Sequence, residues 1–330
     1  MENMKGLDFP ITVAAHQGPR VSTALLVVNP ASRSGTRTLD SVLRALRGAG
    51  IACDVAETNA PAHATALVRE RLHADLHAFD AVFALGGDGT AMEVATALAE
   101  FPDAPPLGIL AVGTANVLAR TLGIPVSPLA AVTALLDADE VAIDLGRIAG
   151  GPAFAIGLGI GLDASMIAGA SVMLKKRVGY LAYMWSALRA GLRLERFRAR
   201  IVVDGAVHEF ETSSILVANF GMVLGDLVCF GEDIGHRDGM LDVCVYSPRT
   251  LRDATRILWR MVFGGVGGDR CVRIIRGREI RIETDPPRPM QADGELLRLT
   301  PVDISVEPNA VRILVPRLGS RRWRLRRALA

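Results

Sequence analysis

Leu85-Gly86-Gly87-Asp88-Gly89-Thr90 places three glycines, a carboxylate and a hydroxyl between an apolar run and a helical pattern. Glycines at this spacing let backbone N–H groups converge on an anion without interference from Cβ atoms. Thr90 followed by Glu93 has the spacing of a capping box. That puts a helix N-terminus at the loop, where a phosphate finds aligned donors and a favourable dipole. A carboxylate at Asp88 repels a phosphate unless a cation lies between them, so Asp88 points to Mg²⁺ or to a network orienting metal-bound water. The plain alternative is a tight turn with a solvated Asp. Two more loops share the character. Asn29-Pro30-Ala31-Ser32-Arg33-Ser34-Gly35 offers small side chains, hydroxyls and one Arg, and Gly113-Thr114-Ala115-Asn116 offers a turn glycine, a capping hydroxyl and an amide.

These loops need strands behind them and helices ahead. Thr23–Val28, Ile51–Val55, Ala81–Leu85 and Leu107–Val112 are strand-like runs. Leu39, Val42, Leu43 and Leu46 share one helix face, Leu67, Val68 and Leu72 mark a second helix, and helices are predicted over Thr90–Ala99 and about Thr114–Leu122. Ser127-Pro128 reads as the cap and first turn of one more, ending near Asp137. Alternating strands and helices predict a doubly wound parallel sheet, whose strand-end loops converge on one crevice. After about Glu140 the pattern becomes short β segments: Ala142–Ile148, Phe154–Ile156, Arg200–Val203, Ile215–Asn219, Leu241–Tyr246, Val272–Ile275, Glu279–Glu283 and Val302–Val306. One amphipathic helix, about Gly179–Leu194, interrupts them, and the half as a whole predicts an antiparallel sandwich. The expected organisation is a lead-in over 1–20, an α/β domain over 21–140 and a β-sandwich domain over 141–306.

Composition excludes several classes. Of 330 residues, 50% are apolar and 22% charged, enough for packed cores, so the chain is neither a disordered tail nor a disulfide mini-scaffold. Lys and Arg number 37 against 35 Asp and Glu, a net charge of +2, so no global field draws the chain to nucleic acid and none is expected as a partner. The positive charge is nearly all arginine, since Lys stands only at Lys5, Lys175 and Lys176. Cys53, Cys229, Cys244 and Cys271 form no C-x-x-C pair and read as core thiols of a reducing compartment. No secretory signal is read at the start, and Asp163 with the glycines around it argues against a membrane span over 153–174. A cytoplasmic location with peripheral membrane contact is expected. G-x-x-x-x-G-K-[ST] is missing, so this is not a P-loop enzyme, and Gly157-Leu158-Gly159-Ile160-Gly161 imitates a dinucleotide fingerprint without its helix-and-acid context. The six histidines form no ligand-spaced set, which removes zinc and Ser-His-Asp chemistry.

The three loops, with Gly159-Ile160-Gly161-Leu162-Asp163-Ala164, Asp238-Gly239-Met240-Leu241-Asp242 and Asp293-Gly294-Glu295, make an ordered set that resembles the lipid kinases sharing the diacylglycerol kinase catalytic domain, bacterial diacylglycerol kinases and sphingosine kinases among them. The resemblance covers roughly 23–315. It implies an α/β domain and a β-sandwich domain with ATP in the cleft between them, the segment 307–330 packing back on the first. The G-G-D-G-T loop alone also occurs in NAD kinases and resembles the phosphofructokinase site.

Carried across by this resemblance, Asn29, Pro30, Ser32, Ser34, Gly35, Thr58, Gly86, Gly87, Asp88, Gly89, Thr90, Met92, Thr114 and Asn116 would contact ATP. Glu295 would be the catalytic base, with Asp293 helping to hold Mg²⁺-ATP or serving as the base instead. A structural Mg²⁺ would use Asp238 with main-chain oxygens of Gly235 and Met240, although Glu232-Asp233-Ile234-Gly235 stands where the family carries a Pro-x-Ala stretch. A positioned carboxylate suits the chemistry, because a lipid hydroxyl must lose a proton as phosphoryl transfer proceeds. Lys175-Lys176-Arg177 would neutralise transferring phosphate or hold headgroups, or is a solvated helix start. Asp163 reads as a buried, hydrogen-bonded structural group. The expected function is an ATP- and Mg²⁺-dependent lipid kinase acting on a diacylglycerol-like or sphingoid hydroxyl. The alternatives are an NAD kinase-type enzyme and a degenerate nucleotide-binding regulator. A lipid substrate at a membrane surface is the expected partner, a homodimer is left open, and the arginine-rich residues 317–327 are expected to touch anionic headgroups.

Overall fold

The computed structural model describes residues 21–32, 35–161, 195–224, 228–231, 233–263 and 265–317. The lead-in over 1–20, Ser34, Asp163, Lys175, Lys176, the amphipathic helix expected over 179–194 and the arginine-rich end after Arg317 lie outside them.

The first half alternates as its periodicity requires: β1 (Thr23–Val28), α1 (Gly35–Gly48), β2 (Ala52–Glu57), α2 (His63–Ala74), β3 (Ala81–Gly86), α3 (Asp88–Leu98), β4 (Leu107–Ala111), α4 (Val117–Thr121) and α5 (Pro128–Leu135). These strands pair in parallel in the order β2-β1-β3-β4. β3 and β4 are buried along their whole length, which explains why they read as continuous apolar runs rather than alternations. Val42 and Leu46 of α1 are fully buried against this sheet.

β5 (Ala138–Ile148), β6 (Ala153–Phe154), β7 (Gly157–Gly161), β8 (Phe197–Val203), β9 (Ala206–Thr212), β10 (Ser214–Ala218), β11 (Met222–Val223), β12 (Val228–Cys229), β13 (Leu241–Tyr246), α6 (Leu251–Phe263), β14 (Val272–Gly277), β15 (Glu279–Asp285), β16 (Pro289–Ala292), β17 (Glu295–Leu299) and β18 (Val302–Pro316) follow. They form an antiparallel sandwich. One layer is a six-stranded sheet ordered β14-β13-β10-β7-β16-β17, and the other is β18-β15-β8-β9. The second layer is hydrogen-bonded into the first domain's sheet, because Ile313 of β18 pairs in parallel with Leu107 of β4.

β5 and β18 are therefore shared by both domains, and the boundaries expected at 140 and 306 fall inside them. β18 pairs with β5 on both sides of an irregularity between Glu307 and Val311. Its Val302 and Ile304 enter the sandwich core, while Val311, Ile313 and Leu314 enter the α/β core. The sequence announced only Val302–Val306, since Pro308 and Asn309 break the alternation there. At the break, Asp144 of β5, fully buried, accepts N–H bonds from Asn309 and Gly239, each 2.7 Å.

Three local expectations are corrected. The helix predicted over Thr114–Leu122 begins only at Val117, because Asn116 adopts a left-handed backbone (φ 50°), and Thr114 is exposed and caps nothing. Thr90 is not the cap of its helix: α3 starts at Asp88 with Gly87 in the cap position, and the Glu93 carboxylate accepts bonds from Ala62 N (2.9 Å) and Ala64 N (3.0 Å) at the mouth of α2. The reciprocal box exists elsewhere, at Thr250 and Asp253. Asp253 N donates to Thr250 Oγ1 (3.1 Å) and the Asp253 carboxylate accepts from Thr250 N (3.1 Å), opening α6, a helix the sequence reading missed.

Asp144→Ala leaves the buried N–H of Gly239 and the part-buried N–H of Asn309 unmatched at the junction of both domains. It is expected to cost about 2–4 kcal/mol in urea unfolding. A loss within experimental error of zero would remove Asp144 from this role.

Candidate functional site

The loops after β1, β3 and β4 meet at one end of the parallel sheet, and their small residues set how closely. Asn29 N donates to Leu85 O (3.0 Å), and its side-chain amide donates to Thr90 Oγ1 (3.1 Å), tying the first loop to the second. Asn29 Oδ1 and O also accept from Ala31 N and Ser32 N, which fixes the Asn29–Ser32 turn. The second and third loops touch backbone to backbone: a Cβ on Gly113 would lie 2.8 Å from Gly87 Cα. Asn116 donates to Gly113 O (3.1 Å), and its Oδ1 is buried with no partner. A glycine cradle with an orphaned acceptor beside it fits a polar ligand.

Gly87 gives α3 no side-chain cap, so its first amides stay open, as an anion site requires. Thr58 follows β2, its N–H on Val28 O (2.8 Å), and Met92 packs half-buried against the α/β core. Both border the loop cluster, and neither has a polar contact that singles it out.

Asp88 is neither solvated nor pointed away. Its Oδ1 accepts from Leu118 N (3.2 Å) at the start of α4, and burial pushes its carboxyl above the usual range against those helix amides. The short helix carrying the third loop is thus positioned by a carboxylate of the second.

The opposite wall comes from the β16–β17 hairpin. Asp293 (φ 45°) and Gly294 (φ 93°) make its turn, and both oxygens of Asp293 are engaged: Oδ2 by Ala155 N (2.7 Å), Oδ1 by Ile156 N (2.9 Å) and Gly157 N (3.0 Å). Enclosure pushes this carboxyl up to about 6 against the three amides, and the nearby Asp88 charge adds to the rise. With its lone pairs directed at amides, Asp293 is a positioning group rather than an available base. What it positions is Glu295. That exposed carboxylate puts Oε1 3.0 Å from where a Cβ on Gly89 would stand. Two sequence motifs 200 residues apart, Gly86-Gly87-Asp88-Gly89 and Asp293-Gly294-Glu295, therefore share one site.

Asn219 is a site residue that sequence reading missed. Its side-chain amide donates to Asp144 O (2.8 Å) and Ala155 O (2.7 Å), and its N–H donates to Ile156 O, so it holds the same segment as Asp293 from the other side. The available signal was an amide closing the apolar run Ile215–Asn219, where a buried polar group needs partners.

The structural metal expected at Asp238, Gly235 and Met240 does not fit. Met240 donates its N–H to Asp238 Oδ1 (3.1 Å), and the positive charge there is Arg276, 3.6 Å from Asp238. Arg276 also forks onto Asp242 (3.0 and 3.2 Å) and bonds Asp233 O. Among the described residues no group of three or more His, Cys, Asp or Glu is placed to hold a metal.

Comparison with known proteins agrees with this layout. Residues 23–148 match the diacylglycerol kinase catalytic domain, and 157–315 match the YegS C-terminal NAD kinase beta sandwich-like domain. A Pseudomonas aeruginosa (strain UCBPP-PA14) protein named "Probable lipid kinase YegS-like" is 31% identical over 293 residues, covering 88% of this chain and 94% of its own. A Staphylococcus aureus (strain Mu3 / ATCC 700698) protein named "Putative lipid kinase" is 28% identical over 242 residues, covering 71% of this chain and 77% of its own. A crystal structure described as "a putative diacylglycerol kinase from Bacillus anthracis str. Sterne" superposes with a TM-score of 0.77 at 25% identity, covering 91% of this chain and 98% of its own.

Two outcomes are expected. Asp293→Asn turns an amide NH₂ toward at least one of the three N–H donors and should lower turnover by about 10²-fold through misplacement of Glu295. In the unsubstituted chain the anchor takes up a proton as pH falls through about 6, so activity should decline on that side, and Asp293→Asn should lose this limb. A pH profile identical in the two proteins would refute the anchor. Without nucleotide, melting temperature should be the same in EDTA and in Mg²⁺, because Arg276 supplies the cation. Lower stability in EDTA would restore a metal to Asp238.

Proposed function

Because the chain belongs to the diacylglycerol kinase catalytic-domain family of lipid kinases, we propose that it transfers the γ-phosphoryl group of Mg²⁺-ATP to a hydroxyl of a diacylglycerol-like or sphingoid lipid. The observation that carries this is the approach of Glu295 to Gly89, which sets a carboxylate at the glycine-lined cradle.

Each part has work suited to it. The open N–H groups at the start of α3 and the Gly87–Gly113 contact would seat the phosphates, with the buried Asn116 Oδ1 available to a donor on the nucleotide. Asp88 and Glu295 are hard oxygen donors suited to a divalent ion, which when bound would offset the charge of the phosphates against these carboxylates. Glu295 stands exposed on the open side, where an acceptor hydroxyl can reach it. It accepts that hydroxyl's proton as the oxygen attacks. Asp293 and the glycine contact hold the two sides of the reaction in line, which is most of what a phosphoryl-transfer enzyme must do. Nothing in this arrangement selects the lipid. Peripheral attachment to a membrane fits an acceptor of this kind, and among the described residues no helix is long and apolar enough to cross one.

The NAD kinase-like name of the second domain keeps a nucleotide acceptor as the competing reading. Labelled ATP offered with a total lipid extract and, separately, with NAD distinguishes them: label in the lipid phase is expected, and label only in NADP would reverse the conclusion. Glu295→Gln keeps shape but cannot take a proton. Turnover should fall by about 10²–10⁴-fold while ATP still protects the variant against thermal unfolding. Activity within about threefold of the parent would move the base elsewhere.

A further inference from the structure

α6 packs its inner face, Asp253 and Ile257, on the outer side of the six-stranded sheet, and Leu251, Arg252, Thr255, Trp259 and Phe263 are exposed. Trp259 is 65% exposed and Phe263 67%, their ring centroids 4.2 Å apart on one stripe of the helix that also carries Arg252 and Thr255. Two adjacent aromatic rings that open to water are costly without a partner. Their surroundings say which partner. Residues 247–276 hold seven arginines and only two acids, Asp253 and Asp269, in a chain whose net charge is just +2.

Both acids are buried and turned inward. Arg256 forks onto Asp269 (2.9 and 3.2 Å) and reaches Asp253 (2.9 Å), while Arg270 takes Asp253 (3.0 Å) and Arg260 bonds the carbonyls of Gly265 and Gly267. This cage fixes α6 against the following loop. Arg249 and Arg252 stay exposed at the N-terminal end of the helix, with no ion-pair partner among the described residues. The outward side therefore carries an aromatic pair toward the C-terminal end of α6 and exposed arginines toward its N-terminal end.

We propose that this face of α6 docks the protein on a bilayer of anionic phospholipid, with Trp259 and Phe263 at the headgroup–acyl boundary and the arginines on the phosphates. Aromatic rings favour that boundary, and exposed arginines are drawn to its charge. The placement relates to the cleft: α6 packs on β12, β12 pairs with β11, and β11 packs on α4, the helix whose first turn Asp88 holds. Docking here presents the site to lipids in the same leaflet, so the inference rests on the lipid-kinase reading for its purpose but not for its test.

The test is sedimentation of the full chain with vesicles of phosphatidylcholine alone and with about 30% phosphatidylserine added, at low and high salt. The parent should bind the anionic vesicles, and Trp259→Ser/Phe263→Ser should bind them at least about tenfold more weakly. Arg252→Glu should weaken binding several-fold at low salt and less at high salt. All these side chains are solvent-exposed, so melting temperatures should not change. The chain has three tryptophans. With Trp185→Phe and Trp323→Phe the emission of Trp259 alone should shift to the blue on anionic vesicles and be quenched by brominated acyl chains.

Equal binding by Trp259→Ser/Phe263→Ser, or an unmoved Trp259 emission while the protein sediments, overturns the proposal. So does a dimer abolished by Trp259→Ser/Phe263→Ser in a parent that ignores vesicles, which would assign the face to a second copy. No arm uses ATP. Loss of the kinase reading therefore shows as missing lipid phosphorylation with binding intact, and loss of the docking face as missing binding with activity on detergent-dispersed lipid intact.

Discussion

Three backbone amides pointing at one carboxylate, those of Ala155, Ile156 and Gly157 at Asp293, hold the two halves of the site in register. The segment they belong to joins β6 to β7, where the chain passes from the shared sheet into the six-stranded one. Asn219 grips it from behind through Ala155 O and Ile156 O. The Asn219 bonds of this crossing are buried and the Asp293 bonds part-buried, a setting in which a satisfied network is stiff and an unsatisfied one expensive. Without the Asp293 anchor the β16–β17 turn would be held only by the β16–β7 ladder and the Asp293 N–H bond to Gly157 O, which leaves the aim of Glu295 looser.

A second constraint is the exchange of helix caps between neighbours. Asp88 sits in the first turn of α3 yet caps α4, and Glu93, one turn on, caps α2. Donating these carboxylates outward ties three helix mouths into one rim. It also leaves the amides at the start of α3 unfilled by a side chain, which is the condition for receiving an anion. Structural and functional roles of Asp88 thus meet in one group: its carboxylate orients the start of α4 and belongs to the glycine loop that lines the cleft.

Arginine does fixed electrostatic work in the second domain. Arg276 forks onto Asp242, whose carboxyl burial pushes upward while the guanidinium opposes it, and takes the place where a structural cation was expected. Arg256 and Arg270 hold Asp253 well below the usual carboxylate range together with Thr250. A guanidinium that bridges two carboxylates needs no exogenous ion, so the arginine-rich composition has structural content beyond net charge.

The fold class and the identity of the motifs were legible in the residues alone. β1, β3 and β4 are covered on both faces and so must be apolar throughout, and Gly86-Gly87-Asp88-Gly89 and Asp293-Gly294-Glu295 carry residue types whose spacing is local. α6 was legible in principle, as Thr250 and Asp253 spell its cap, but a helix amid short strands is masked by the surrounding period. Pairing over distance emerges only in the folded chain. Thr90 and Glu93 have the spacing of a mutual cap, yet the carboxylate serves α2, because the amides nearest to it in space are not those nearest in sequence. The same cause makes β18 a member of both domains, sets Arg276 in place of an expected metal, and separates the roles of Asp293 and Glu295. A carboxylate's function is set by what surrounds its oxygens, and that is fixed only when strands far apart in the chain lie side by side.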